Sequence, residues 1–276
     1  MRDNWKMAGH SKSRTLRVYT VDSFSSVPFA GNPAAVCPLE EDISDELKQK
    51  IARELNISET AFVDIGKKKH SSSVAPTYPL RWFTPTTEVP LCGHATLATA
   101  HVLFSQNYVN GDTVSFQTMR GLLTVKKKED GSLQMDFPQG APSAVKIREP
   151  LQKEMIERLG LKDAAIVDVQ YCAPNRKLLV HVERDETSAG SGKGNVPLIT
   201  SLRPDNLLAL QWDLDMDVRG IIVTTQPTLE DEERWRSFHV VSRYFAPWNG
   251  IPEVGQLYQF STNSYLHCTE LLLSMT

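Results

Sequence analysis

The chain has 276 residues, 41% of them hydrophobic and 23% charged, with a formal net charge of −3. That is a globular composition, with apolar side chains enough for a sizeable core in one large or two ordinary domains. The charge removes any electrostatic case for nucleic acid or an anionic membrane as partner, and no apolar run approaches the roughly 18 residues of a membrane span.

Residues 1–14 are polar, mixed in charge and lack the apolar stretch of a secretory signal, so they read as a disordered lead. Cys37, Cys92, Cys172 and Cys268 are scattered without CxxC spacing. That fits free thiols in a reducing compartment and points to the cytoplasm. A first strand is expected over Arg17–Phe24, then a loop with Gly31 and Asn32 able to take unusual backbone angles, then a short strand over Ala34–Cys37. Ser44 opens a helix whose apolar face carries Leu47, Ile51 and Leu55, and Asn56 can close it. Ser58 and Glu59 lead into the apolar strand Thr60–Ile65.

Gly66–Pro79 reads as a polar loop, and after it comes Arg81-Trp82-Phe83, a proline-bounded loop, and a helix opening at Cys92-Gly93-His94 and running to about Phe104. Strand-like runs follow at Thr113–Gln117, Leu122–Lys127 and Ser132–Phe137, the last two joined by an Asp-Gly turn. Glu149–Leu159 is an amphipathic helix ended by Gly160, and Ala164–Tyr171 and Lys177–Val182 are strands. Asp185–Pro197 contains SAGSGKGN; it lacks a Gly-Lys-Ser/Thr ending and reads as a linker, not a phosphate loop. A short helix at Asp205–Leu210 and strands at Gly220–Thr225 and Ser237–Phe245 complete the pattern, with an acidic, exposed segment at Leu229–Arg234. Many strands with two or three long helices make the fold class α+β.

Candidate site residues cluster around the helix start. A first turn offers free N–H groups and the positive end of the helix dipole, which suit a carboxylate. Gly93 lets backbone approach a ligand closely, and His94 can move a proton near neutral pH. Glu59, at the mouth of an apolar strand, can serve as acid and base if it points into a closed cleft. His94 and His101 stand about 10 Å apart along the helix, too far to share one metal ion, so no metal site is read. The stretch also has an echo: Arg-aromatic-Phe-x-Pro-x4-Pro occurs at Arg81–Pro90 and again at Arg243–Pro252, each copy downstream of an apolar strand. Two halves of like fold, with a site in the cleft between them, are the expectation.

Val18–Phe24, Pro28–Pro33, Ser58–Phe62 and Cys92–Thr96, four motifs in order, resemble the PhzF (phenazine biosynthesis) family over about residues 16–253. The resemblance implies a diaminopimelate epimerase-like fold of two pseudo-symmetric lobes, each a sheet around a central helix. It implies a cofactor-independent isomerase, without metal, that moves a proton between carbons of a small carboxylated metabolite. Glu59 would be the acid/base, with Gly93, His94 and Ala95 in the substrate-binding helix start; a homodimer is also implied. The division expected is 15–121 for the first lobe, 122–253 for the second and 254–276 for an atypical tail. In the family the second copy of the repeat continues into an Asp-Pro and a Gly-Ser-Ala helix start. Here Glu253 is followed by Val254-Gly255-Gln256, so the second lobe is expected to be incomplete. The rival reading is a non-catalytic, truncated isoform acting as a binding or interaction protein.

Overall fold

The structure is a computed structural model describing residues 15–27, 29, 31–67, 69–71, 74–136, 140–161, 164–185, 194–212, 216–253 and 258–260. The lead 1–14 and most of the tail 254–276 therefore lie outside the described residues. One curled sheet contains β1 (Tyr19–Ser23), β2 (Asn32–Leu39), β3 (Thr60–Asp64), β4 (Lys69–Ser71), β5 (Val74–Phe83), β6 (Glu88–Val89), β7 (Thr113–Thr118), β8 (Gly121–Lys127) and β9 (Leu133–Asp136). Its main path runs β1-β2-β3-β5-β7-β8-β9, with β4 and β6 paired to β5. Helices α1 (Asp45–Leu55) and α2 (Gly93–Ser105) belong to this lobe.

Helix α2 is buried from His94 through Ala100 and again at Val102 and Leu103. A helix apolar all round must be enclosed rather than laid on a surface. Accordingly α2 touches β1, β2 and β3 near one end of the strand order and β9 at the other, so the sheet wraps it. Leu97, Leu103, Trp82, Phe116 and Val125 share its core.

The second sheet runs β10 (Ser143–Ala144), β11 (Ala164–Cys172), β12 (Lys177–Arg184), β13 (Gly220–Thr225), β14 (Val240–Phe245) and β15 (Tyr258–Phe260). Helix α3 (Glu149–Leu159) contributes Leu151, Met155 and Leu159 to its core, and α4 (Val196–Thr200) contributes Val196 and Ile199. A short α5 (Glu233–Arg236) precedes β14. Among the described residues this lobe has no helix enclosed by its sheet as α2 is by the first.

The repeat read in the sequence is physical. The two apolar strands and the two Arg-aromatic-Phe strands pair alike, Phe62 opposite Arg81 and Val223 opposite Arg243. Arg81 clamps Glu88 with Nε and Nη2 (2.7 and 2.6 Å); Arg243 clamps Glu253 with the same two nitrogens (both 2.7 Å). Each guanidinium also lies over the phenylalanine two residues on, at 5.2 and 5.1 Å from the ring centroid.

Three expectations change. The division at 121 and 122 would cut between β7 and β8, which pair along their length from Thr113–Lys126 to Thr118–Gly121. Hairpin pairing carries β8 and β9 into the first sheet, which extends to Asp136. The supposed loop Gly66–Pro79 holds β4 and the start of β5, because Tyr78, Leu80 and Trp82 alternate inward. Within the acidic segment Leu229–Arg234, Asp231 is buried: it accepts from the backbone N–H groups of Asn195, Val196 and Thr228.

Candidate active site

Local sequence explains how Glu59 reaches its place. The Ser44 side chain accepts from Leu47 N and caps α1, with Asp45 and Glu46 at the favourable end of the helix dipole. Asn56, in the left-handed region (φ 51°), stops the helix and turns the chain back. Ser58 and Glu59 follow directly, ahead of the fully buried β3. Ala35 N donates to the Glu59 carbonyl at 3.0 Å, which fixes the residue beside β2.

Helix α2 starts from an extended Cys92 (φ −149°, ψ 118°) with no side-chain cap and no acidic residue in its first turn. Its first N–H groups thus have no internal anion to serve. Ser23 Oγ donates to the His94 carbonyl at 2.8 Å and pins this turn to β1. The Phe24 ring meets the imidazole edge-on, centroids 6.5 Å apart.

The structure brings Glu59, Cys92 and His94 together, all buried. His94 Nδ1 lies 3.4 Å from Cys92 Sγ; Nε2 lies 3.4 Å from Ser58 Oγ and 3.3 Å from Glu59 Oε2. The Nε2–Oε2 approach is outside hydrogen-bond geometry, so Oε2 is a buried oxygen with no hydrogen-bond donor among the described residues. Burial pushes the His94 pKa down, against opposing pulls from Glu59 and the Pro33 backbone. Burial, then the charge of Glu59, pushes the Cys92 thiol well up. The pair is therefore a neutral imidazole beside a protonated thiol. The S–H donates to Nδ1, which leaves the Nε2–H facing Ser58 and Glu59.

The donors of Glu59, Cys92 and His94 lie within 4.8 Å of one another, a set whose softness suits zinc. However, the imidazole stands between thiol and carboxylate, one nitrogen toward each. One ion on all three would require the ring to turn. His101, the other histidine considered from spacing, is exposed and remote from this cluster in function.

A cavity of ≈ 510 Å³ opens beside Ser58, between the lobes. Gly31, Asn32, Pro33 and Pro85 line it from the first lobe, and Gly250, Ile251, Pro252 and Glu253 from the second. This volume suits a small ligand. Glu253 faces it but is held by Arg243. Sequence reading did not assign Ser58 or Cys92 to the imidazole; only their nearness to Glu59 and His94 in the chain hinted at it.

A family model described as phenazine biosynthesis-like protein (PhzC-PhzF) matches residues 21–254. The phenazine biosynthesis-like domain-containing protein of Bos taurus is 38% identical over 238 residues, 86% of this chain and 78% of its own. A Pseudomonas aeruginosa protein named an uncharacterized isomerase is 39% identical over 240 residues, 86% of this chain and 76% of its own. The crystal structure of a PhzF family protein from Enterococcus faecalis matches with a TM-score of 0.63 at 35% identity, over 87% of this chain and 76% of that one. A predicted epimerase from Pseudomonas aeruginosa shares the fold, with a TM-score of 0.57 at 16% identity over 87% and 77% of the two chains.

Proposed function

The chain belongs to the PhzC-PhzF, phenazine biosynthesis-like family, and from that premise we propose that it is an isomerase moving a proton between carbons of a small carboxylated metabolite in the cleft between its lobes. The observation that carries the reading is the bare Oε2 of Glu59, buried beside a neutral imidazole. A carboxylate oxygen with no hydrogen-bond donor is free to take a proton from a bound carbon and return it to another. His94 orients that carboxylate through Nε2–H, and Cys92 fixes the tautomer from the other side of the ring. The first turn of α2, from Gly93 through Ala95, holds the substrate carboxylate with its free N–H groups. Every proton-handling group in this scheme is a side chain of the chain itself.

The test is proton exchange. A panel of small carboxylates is incubated with the protein in D₂O, and deuterium incorporation at carbon is read by NMR. Glu59→Gln keeps the side-chain volume, so melting should be unchanged while exchange falls about 10²- to 10⁴-fold, the usual share of a general acid/base. Exchange retained in that variant rejects the role.

A further inference from the structure

The second lobe carries a cation at the cleft that no carboxylate neutralises. Lys177 opens β12 directly after Arg176, whose left-handed backbone (φ 55°) turns the chain out of the 173–175 turn. Its Nζ lies 4.7 Å from the centroid of the Tyr244 ring. The ring can lie there because Gly220, opposite Lys177 in the parallel β12–β13 register, has no side chain. A Cβ at Gly220 would stand 2.7 Å from Tyr244 Oη and 2.9 Å from Cζ. Three neighbouring strands, β12, β13 and β14, thus build one platform of lysine on tyrosine on glycine. A cation over an aromatic face is oriented without being discharged.

Lys177 makes no ion pair among the described residues. Arg243, next to Tyr244 on β14, differs: Glu253 takes its charge, and Ile199 O and Leu202 O take its remaining donors at 3.1 and 2.9 Å. The lysine pair also acts across the cleft. Lys177 pulls the Cys92 thiol pKa down against the larger effect of burial. Burial raises the Tyr244 hydroxyl, Lys177 lowers it, and Glu59 and Cys92 raise it. These groups therefore share one field.

We propose that Lys177, steadied by Tyr244, is the anion-binding residue that the second lobe contributes to the site, receiving the substrate carboxylate across the cleft from the first turn of α2. The inference rests on the acid/base reading of Glu59 and narrows its substrate class to small monocarboxylates. A second negative charge would lie in the field of Glu59, where like charges repel.

The probe is benzoate, with benzamide as its neutral match, titrated into ¹⁵N-labelled protein while the amide signals of Gly93, His94 and Ala95 are followed. Saturable shifts with benzoate, much weaker ones with benzamide, and a dissociation constant raised at least about tenfold by Lys177→Met are expected for loss of one charge-assisted contact. Lys177→Arg should restore most of the affinity, which guards against a misfolded methionine variant. Equal benzoate affinity in wild type and Lys177→Met overturns the assignment of Lys177 while leaving the Glu59 exchange assay untouched. Equal shifts with benzoate and benzamide, or none with either, overturn the monocarboxylate class; loss of exchange in Glu59→Gln is scored separately.

Discussion

Replacing Gly31 with alanine presses a methyl group into β1. The added Cβ would stand 2.9 Å from both the carbonyl carbon and the Cβ of Asp22, and closer still to the Ser23 carbonyl oxygen; ordinary contact is 3.4–4 Å. None of these atoms is the tip of a flexible side chain, so the strand itself must move. Strand β1 is the edge of its sheet and pairs only with β2, from Tyr19–Val36 to Ser23–Asn32, so it can yield at the Ser23 end. Ser23 Oγ holds the His94 carbonyl, so the shift reaches the helix start. Overpacking costs about 1–3 kcal/mol, and loss of the Ser23–His94 hydrogen bond adds about 0.5–1.5 kcal/mol. The expected destabilisation is about 2–4 kcal/mol, a large part of a domain's 5–15 kcal/mol. Urea unfolding followed by tryptophan fluorescence measures it, with Ser23→Ala isolating the hydrogen-bond share. A Gly31→Ala protein within about 0.5 kcal/mol of wild type would refute the reasoning, since surface changes alone stay in that range.

The two clamps should differ in strength. Arg243 is 13% exposed and Arg81 32%, and Arg243 alone also holds two backbone carbonyls. Arg243→Met should therefore cost more in urea unfolding than Arg81→Met, about 2–3 against about 1 kcal/mol; the reverse order would contradict the packing described. Cys92 should resist iodoacetamide at pH 7 in native protein, because the thiol is buried and held protonated; modification at Cys92 as fast as in denatured protein would contradict its burial. His94 makes stability depend on pH. The unfolded chain binds a proton at about pH 6.5, whereas the folded imidazole declines it until lower pH. The unfolded state thus holds more protons below 6.5, and stability falls as pH drops from there toward the folded pKa. Denaturation series at pH 7.5 and 5.5 should show that loss, and His94→Asn should flatten it; an unchanged slope would place the effect elsewhere.

The parts of this architecture legible in sequence were those written into neighbouring residues. The α1 boundaries followed from Ser44 and Asn56, whose side chain and left-handed backbone end the helix. The enclosed α2 followed from an unbroken apolar run, and the two-lobe symmetry from the repeated Arg-aromatic-Phe motif. Partnership was not legible. Alternation marks β8 and β9 as strands but does not say which sheet they join, so their place with β7 came only from the register. Asp231 read as exposed because its neighbours are acidic; three backbone N–H groups bury it. At the site, Glu59 and His94 stood out as chemistry-bearing residue types. Lys177 did not, because an isolated lysine at a strand start is ordinarily solvated, and only the fold lays it on Tyr244.

Both arginine clamps close within their own lobes, Arg81 on Glu88 and Arg243 on Glu253. Across the cleft the described hydrogen bonds are of another kind: Thr86 Oγ1 donates to the Asn249 carbonyl at 2.8 Å, and Arg120 Nη2 to the Pro174 carbonyl at 2.7 Å. Both end on backbone oxygens, at about 1 kcal/mol each for a neutral acceptor. Parting the lobes to admit a ligand leaves both clamps intact. Each lobe travels as a finished block, and the hinge between them is governed by a few carbonyl contacts rather than by the ionic strength of the medium.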